Sequence, residues 1–344
     1  MKQQIKKLMN EFQRIIQPLF TRASFLSRLY FLLFDQAYAF EQQSILKSKI
    51  KYRDSNGIQK ESSSLLRRNI HRLEKGLIMR PRRSIFALDY IGETLKIFEL
   101  ARNIEGFNEK ELIWASAVLY EYFSVVDSSD KRLKKHILHY ESLGISAASN
   151  TVPYKSVERA KHTVSYAELA QLVKARRSTR WYLDKVVPRK LIQDAVYIAS
   201  EAPSACNRQA FRFICIDDES AISKVAKLPG GTAGFLDNIP CLMAVIGDHS
   251  AYLEFRDRHA IYIDSSLASM QFMLACETLG LSTCAINWPE LKQLDKRITS
   301  ALNLPQHERV IMFIAVGYSL PEGGIPYSSK KESVQLLTFL GGDK

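Results

Sequence analysis

Three guanidinium groups and two hydroxyls fall within five residues, Arg176-Arg177-Ser178-Thr179-Arg180. About twenty residues later, Ala202-Pro203-Ser204-Ala205-Cys206-Asn207-Arg208-Gln209-Ala210-Phe211-Arg212-Phe213 adds a hydroxyl and two side-chain amides in a tight turn before an apolar run. Arginine is suited to phosphate because its planar fork meets the oxygens in pairs. Clustered amides suit the edge of a planar polar ring. An exposed basic turn is the simpler account of the first cluster alone. The two together describe a site for a molecule anionic at one end and planar and polar at the other.

Short elements must position these residues. Tyr166 to Ala175 reads as a helix whose C-terminal end delivers the first cluster. Pro188 suits the first turn of the next helix, where its missing N–H is unpaired anyway. That helix runs to about Glu201, and Pro203 stops it. Phe211 to Ile216 and Cys241 to Gly247 read as strands, apolar and partly β-branched. Tyr262 to Leu279 reads as a helix apolar on most faces, hence buried on several sides, with Gly280 as its stop. Ser282 to Asn287 and Val310 to Tyr318 supply two more strands. Helices and strands mix without a regular βαβ repeat, which predicts an α+β sheet domain. Leu228 to Gly234 is a Gly-rich loop without the GxxxxGK[ST] pattern of a phosphate cradle, and reads as a loop beside the site.

The pairing RRSTR with APSACNRQAF resembles the FMN-binding signature of the nitroreductase family of flavin oxidoreductases. Tyr262-Ile263-Asp264, Leu279-Gly280-Leu281, the strand ending at Asn287 and the run Ile311 to Ser319 continue the likeness, which spans roughly residues 166 to 335. The resemblance implies a nitroreductase-like FMN-binding sheet flanked by helices, preceded here by an all-helical N-terminal region. It assigns Arg176 and Ser178 to the phosphate with Arg177 beside them, and Arg180 to the N1 and O2 edge of the ring. It places Ser204, Ala205, Asn207 and Gln209 against the isoalloxazine, and the backbone of Ile286, Asn287 and Trp288 near N5 and O4. Lys330 and Lys331 match basic residues that return to the phosphate. Two departures stand out: Ala210-Phe211 replaces the usual Pro-Trp, and the Ile286–Trp288 loop lacks glycine. The resemblance further implies NAD(P)H as a transient electron donor in a ping-pong order, a small-molecule substrate, and a homodimer with two FMN sites at its interface. No catalytic residue is assigned, since the flavin carries the hard chemistry. Relatives that oxidise, dehalogenate or fragment the flavin keep an alternative open.

The 344 residues suggest two structural regions, divided as 1–160 and 161–344. The net charge of +12 is uneven, with 25 Lys and Arg against 16 Asp and Glu in the first 150 residues. Such an excess favours anionic partners, and Phe25 to Phe34 with flanking Arg22 and Arg28 suits a helix on a membrane surface. That run is too short to span a bilayer and lacks the order of a cleaved signal. The five cysteines contain no CxxC pair and read as reduced thiols. The expected location is cytoplasmic with peripheral membrane contact, and nucleic acid is not an expected partner. A catalytically idle protein that docks on membrane or nucleic acid is the reading from a different class. No GxGxxG marks a resident dinucleotide, and His136 and His139, one turn apart, lack the further ligands a metal site needs. Residues 1–150 read as helices, with Lys51 to Ser64 as a loop and a helix from Ser64 to about Gly76. Within it, His71-Arg72-Leu73-Glu74-Lys75-Gly76-Leu77 resembles an element found ahead of the flavin domain in nitroreductase-like proteins of polysaccharide biosynthesis. That likeness implies that the helical region covers the active site.

Overall fold

The computed structural model describes residues 2–34, 38–146 and 151–341. Helices come first: α1 (Lys2–Phe20), α2 (Ser24–Leu33) and α3 (Ala39–Asp54). The expected loop then holds a two-residue hairpin, β1 (Ile58–Gln59) with β2 (Ser62–Ser63), before α4 (Ser64–Leu77), α5 (Ile91–Arg102), α6 (Glu109–Val125) and α7 (Lys134–Ser142). Ser63 starts α4 by accepting the Leu66 N–H at 3.1 Å. Leu66, Ile70, Leu73 and Leu77 line one face of α4 and close a core with Leu95, Phe98, Leu119 and Tyr122. Gly76 does not end this helix. A Cβ there would stand 2.3 Å from the Phe86 ring, so the glycine admits an aromatic side chain against the helix.

The second region begins with α8 (Tyr166–Ala175) and α9 (Arg189–Ser200) and continues through β3 (Phe211–Ile216), α10 (Glu219–Ala226) and β4 (Cys241–Asp248). It ends with α11 (Ala260–Thr278), β5 (Ser282–Asn287), α12 (Lys292–Ala301) and β6 (Glu308–Gly317). Ser165 and Glu168 cap α8 reciprocally. The four long strands form one antiparallel sheet in the order β3-β4-β6-β5. Central β4 is apolar from Cys241 to Ile246 because both its faces are covered. Leu242, Ala244 and Ile246 join a core with residues of α10 and α12, while Cys241, Met243 and Val245 join one with residues of α9 and α11. The fold is the expected α+β sheet flanked by helices, with a helical region before it.

The helical region touches the sheet region through specific polar contacts. Ser44 Oγ donates to the Gln306 carbonyl at 2.8 Å, and Gln59 Nε2 donates to Ser250 Oγ at 2.8 Å. At the other extreme, α1 and α2 form a hairpin closed by Phe20, Tyr30 and Phe34 with ring centroids 5.4–5.8 Å apart. Its outer stripes, Leu8, Phe12, Ile15 and Leu19 on α1 and Phe25, Leu29 and Leu32 on α2, remain exposed. No described helix is long and apolar enough to cross a membrane.

Candidate functional site

The first cluster leaves α8 and runs onto the free edge of β5. Thr179 N–H donates to the Thr283 carbonyl at 3.0 Å, and Ser178 bridges the same residue in parallel. Buried Tyr182 fixes the turn, its hydroxyl donating to the Thr179 carbonyl. These contacts hold the backbone and leave the guanidinium groups unspent. Among the described residues, Arg176, Arg177 and Arg180 make no ion pair with a carboxylate. Arg176 Nε is buried without a hydrogen-bond partner. Arg177 donates only to the neighbouring Arg176 carbonyl, and Arg180 to the Ser178 carbonyl while lying 5.8 Å from the Phe235 ring centroid. Three cations this close without a counter-charge repel one another, and an anion removes the penalty.

β5 extends the same edge. The alternation that turns the Thr283 carbonyl toward Thr179 turns the backbone of Ala285 and Asn287 to that open side. Ile286 and Trp288 serve differently. Ile286 is core, and Trp288 is buried with its indole N–H on Asp295 Oδ1 at 2.9 Å. Of the three residues expected here, Asn287 is the one whose backbone faces the cluster. The Gly-rich loop lies alongside, a Cβ at Gly231 standing 3.7 Å from Ile286. It is anchored by buried Thr232, whose hydroxyl donates to the Ala226 carbonyl.

The second cluster is a strained turn. Cys206, Asn207 and Gln209 adopt φ of 55°, 53° and 51°, the left-handed region that costs a residue with a Cβ. Ser204 Oγ accepts the Gln209 N–H at 3.0 Å, and buried Asp264 on α11 accepts the Ala205 N–H with both oxygens at 3.1 Å. Burial holds the Asp264 carboxyl above its ordinary value, against the lowering effects of the Tyr252 hydroxyl, the Ala205 N–H and Arg208. Gln209 is committed within the protein. Its Oε1 accepts from Arg67 Nη2 at 3.1 Å and its Nε2 donates to the Ser200 carbonyl at 3.1 Å. The Asn207 amide makes no side-chain hydrogen bond among the described residues, and so remains available to a ligand.

The two clusters do not meet within one chain. The first sits at the C-terminal end of α11, where Arg176 acts on Glu277, and the second at its N-terminal end on Asp264. Thirteen residues of helix separate these points, about 20 Å at 1.5 Å per residue. Between them α11 exposes Ile263, Leu267 and Met270, one stripe at i, i+4 and i+7. The expectation of burial on several sides therefore fails on this face of the single chain. The C-terminal segment is pinned beside the first cluster by the Leu320 N–H on the Trp181 carbonyl at 2.9 Å, while Lys330 and Lys331 further on are exposed.

Sequence reasoning missed Arg67, Asp264 and Tyr252 as supports of the turn. An acid inside an otherwise apolar helix was the available signal for Asp264, whereas nothing local marks Arg67. On the helical side, His71 Nδ1 lies 3.2 Å from Glu74 Oε2, and Glu74 also accepts the Trp114 indole N–H at 2.9 Å. His139 pairs with Glu99 at 3.0 Å, and no metal-binding group of three ligands occurs among the described residues.

The family model for the nitroreductase family matches residues 173–232 and 223–318, the segment carrying the first cluster, the turn and the sheet. A protein of Methanothermobacter thermautotrophicus named as a candidate NADH dehydrogenase/NAD(P)H nitroreductase is 28% identical over 165 residues, covering 47% of this chain and 82% of its own. Human iodotyrosine deiodinase 1 is 21% identical over 198 residues, covering 49% of this chain and 68% of its own. Among solved structures, an FMN-dependent nitroreductase from Clostridium difficile R20291 aligns with a TM-score of 0.43 and 25% identity, over 50% of this chain and 98% of its own. The family model covers the sheet region. Over residues 173–318 the chain is similar to the nitroreductase family.

Proposed function

We propose that this chain is an FMN-dependent oxidoreductase that takes electrons from NAD(P)H and passes them to a small conjugated or nitroaromatic molecule, or to an intermediate of polysaccharide assembly. The observation that carries the proposal is the arginine cluster on the open edge of β5, with no carboxylate ion-paired to it among the described residues. Arg176, Arg177 and Ser178 would hold the phosphate. Arg180 would set a fixed positive charge at the N1 and O2 edge of the ring. The Asn287 backbone and the unspent Asn207 amide would orient the ring, and Lys330 and Lys331 would return to the phosphate. The flavin, when bound, supplies the two-electron transfer.

The separation of the clusters supports a homodimer. Packing the exposed α11 stripe against its two-fold copy, antiparallel, would set the arginine cluster of one copy beside the Ser204–Gln209 turn of the other. It would also cover Leu169 and Val173 of α8, exposed in the single chain. In this reading residues 161–344 form the flavin domain and residues 1–160 an added helical region. The α1–α2 hairpin, with Arg14, Arg22 and Arg28 beside its exposed apolar stripes, suits the surface of an anionic membrane.

The test is the visible spectrum of the purified protein before and after anaerobic NAD(P)H. A flavin band that bleaches is the expected result, and a colourless protein that does not take up FMN overturns the proposal. A second reading, reductive dehalogenation, is supported by the deiodinase relatives. Iodide release from iodotyrosine by the reduced protein, without turnover of nitroaromatics, would select it.

A further inference from the structure

We infer that Arg67 of α4 is a positioning residue for the Ser204–Gln209 turn, so that the helical region sets the geometry of a site built on the sheet region. The inference rests on the reading of that turn as cofactor-facing.

Three left-handed residues in a four-residue span are kept only if their surroundings over-determine them. The sheet region fastens the two ends of this span, Ala205 to Asp264 and the Gln209 N–H to Ser204. Its middle is held by the Asn207 N–H on the Ser204 carbonyl at 3.0 Å and, at the Asn207 carbonyl and the Gln209 side chain, from the helical side. Arg67 Nε donates to the Asn207 carbonyl at 2.9 Å, and Arg67 Nη2 to Gln209 Oε1 at 3.1 Å. The third nitrogen, Nη1, pairs with Glu111 Oε2 at 3.1 Å.

Glu111 is buried on α6 and is itself fixed, accepting from the Ser62 hydroxyl at 2.7 Å and the Ser63 N–H at 3.0 Å. The guanidinium also lies 5.4 Å from the Trp114 ring centroid. Each of the three nitrogens of the fork therefore has a partner, and its helical-side anchors are Glu111 and Trp114. A rotation of the fork would move the Asn207 carbonyl and, with it, the direction of the Asn207 amide. Arg67 thus acts through the turn. Lysine cannot replace it, because a single ammonium on a flexible stem cannot hold Asn207, Gln209 and Glu111 in fixed directions at once.

The experiment compares the wild-type protein, Arg67→Lys and Arg67→Ala in FMN affinity by fluorescence titration, visible circular dichroism of bound FMN, and thermal midpoint of the apoprotein. Arg67→Ala should weaken FMN about tenfold and change the visible dichroism. Arg67→Lys keeps a charge against Glu111, so it should recover most of the apoprotein's midpoint yet neither the affinity nor the dichroism. It is the deciding variant should Arg67→Ala fail to fold. Wild-type affinity and dichroism in Arg67→Lys would overturn the inference and leave the flavin reading standing. A wild-type protein that does not bind FMN would overturn both.

Discussion

Arginines gather at both ends of α11, and the two groups are held in opposite ways. At the C-terminal end, Arg176, Arg177 and Arg180 have no carboxylate partner among the described residues. At the N-terminal end, Arg208 stands 3.8 Å from Asp257 and over the Tyr252 ring at 4.5 Å, and Arg67 pairs with buried Glu111. A cation matched by a protein carboxylate has been absorbed into the scaffold. A group of cations without an ion-paired carboxylate carries a standing repulsion that a bound anion relieves. Composition cannot separate the two kinds, since both are arginines near polar residues. The carboxylates opposite them do.

If this contrast is right, the largest loss of stability comes from cutting the scaffold end. Asp264→Ala leaves the Ala205 N–H and the Tyr252 hydroxyl without their shared acceptor, which should cost about 3 kcal/mol in urea unfolding. A loss below about 1 kcal/mol would mean that the turn is secured elsewhere. The next effect is in binding. Arg176→Ala should weaken FMN by about 10- to 100-fold, the worth of one charge-assisted contact, while apoprotein stability changes by less than about 0.5 kcal/mol. An apoprotein destabilised well beyond that would put Arg176 in the scaffold and collapse the distinction.

The sheet region was legible because its signals are local. The apolar run at Cys241–Gly247 announced a buried strand, and the helix expected over Tyr166–Ala175 is α8. The arginine cluster was legible for the same reason, with all its members in five residues. The Ser204–Gln209 turn was legible as a cluster but not as a geometry. Gln209 is held by Arg67, which lies 142 positions away, and no local pattern encodes that pairing. Likewise Gly76 looks like a helix stop in the sequence, because the Phe86 ring that requires it belongs to a later segment. The side chains of Ile286 and Trp288 turn into the core, while the alternation brings the backbone of Ala285 and Asn287 to the open edge.

Smaller effects sharpen the contrast further. Gly76→Ala pushes a methyl group into the Phe86 ring and should cost about 1 to 2 kcal/mol, read from the urea midpoint. FMN affinity should hardly change if the strain stays in the helical core. A loss of FMN in parallel with stability would show that α4 transmits packing strain through Arg67.

The smallest effect is a dependence on pH that differs between the two ends of α11. Burial raises the Asp264 carboxyl above its ordinary 3.8, so the folded chain keeps that proton to a higher pH than the unfolded chain does. Between 3.8 and the raised value the folded state binds more protons. The stability contributed by this group is therefore fully present below 3.8 and is lost as pH rises through the raised value. Asparagine does not titrate, so Asp264→Asn should gain on the wild type as pH rises from about 4 to about 7, by no more than about 1.4 kcal/mol for each tenfold weakening of the acid on folding. Arg176→Ala removes the cation that opposes the effect of burial on the Glu277 carboxyl, so this variant should instead lose on the wild type as pH rises over the same range. Urea midpoints for the three proteins at several pH values decide the matter. A wild type that gains on Asp264→Asn with rising pH would mean that Arg208 and the hydrogen bonds outweigh burial, making the Asp264 carboxylate a charge partner rather than a buried anchor.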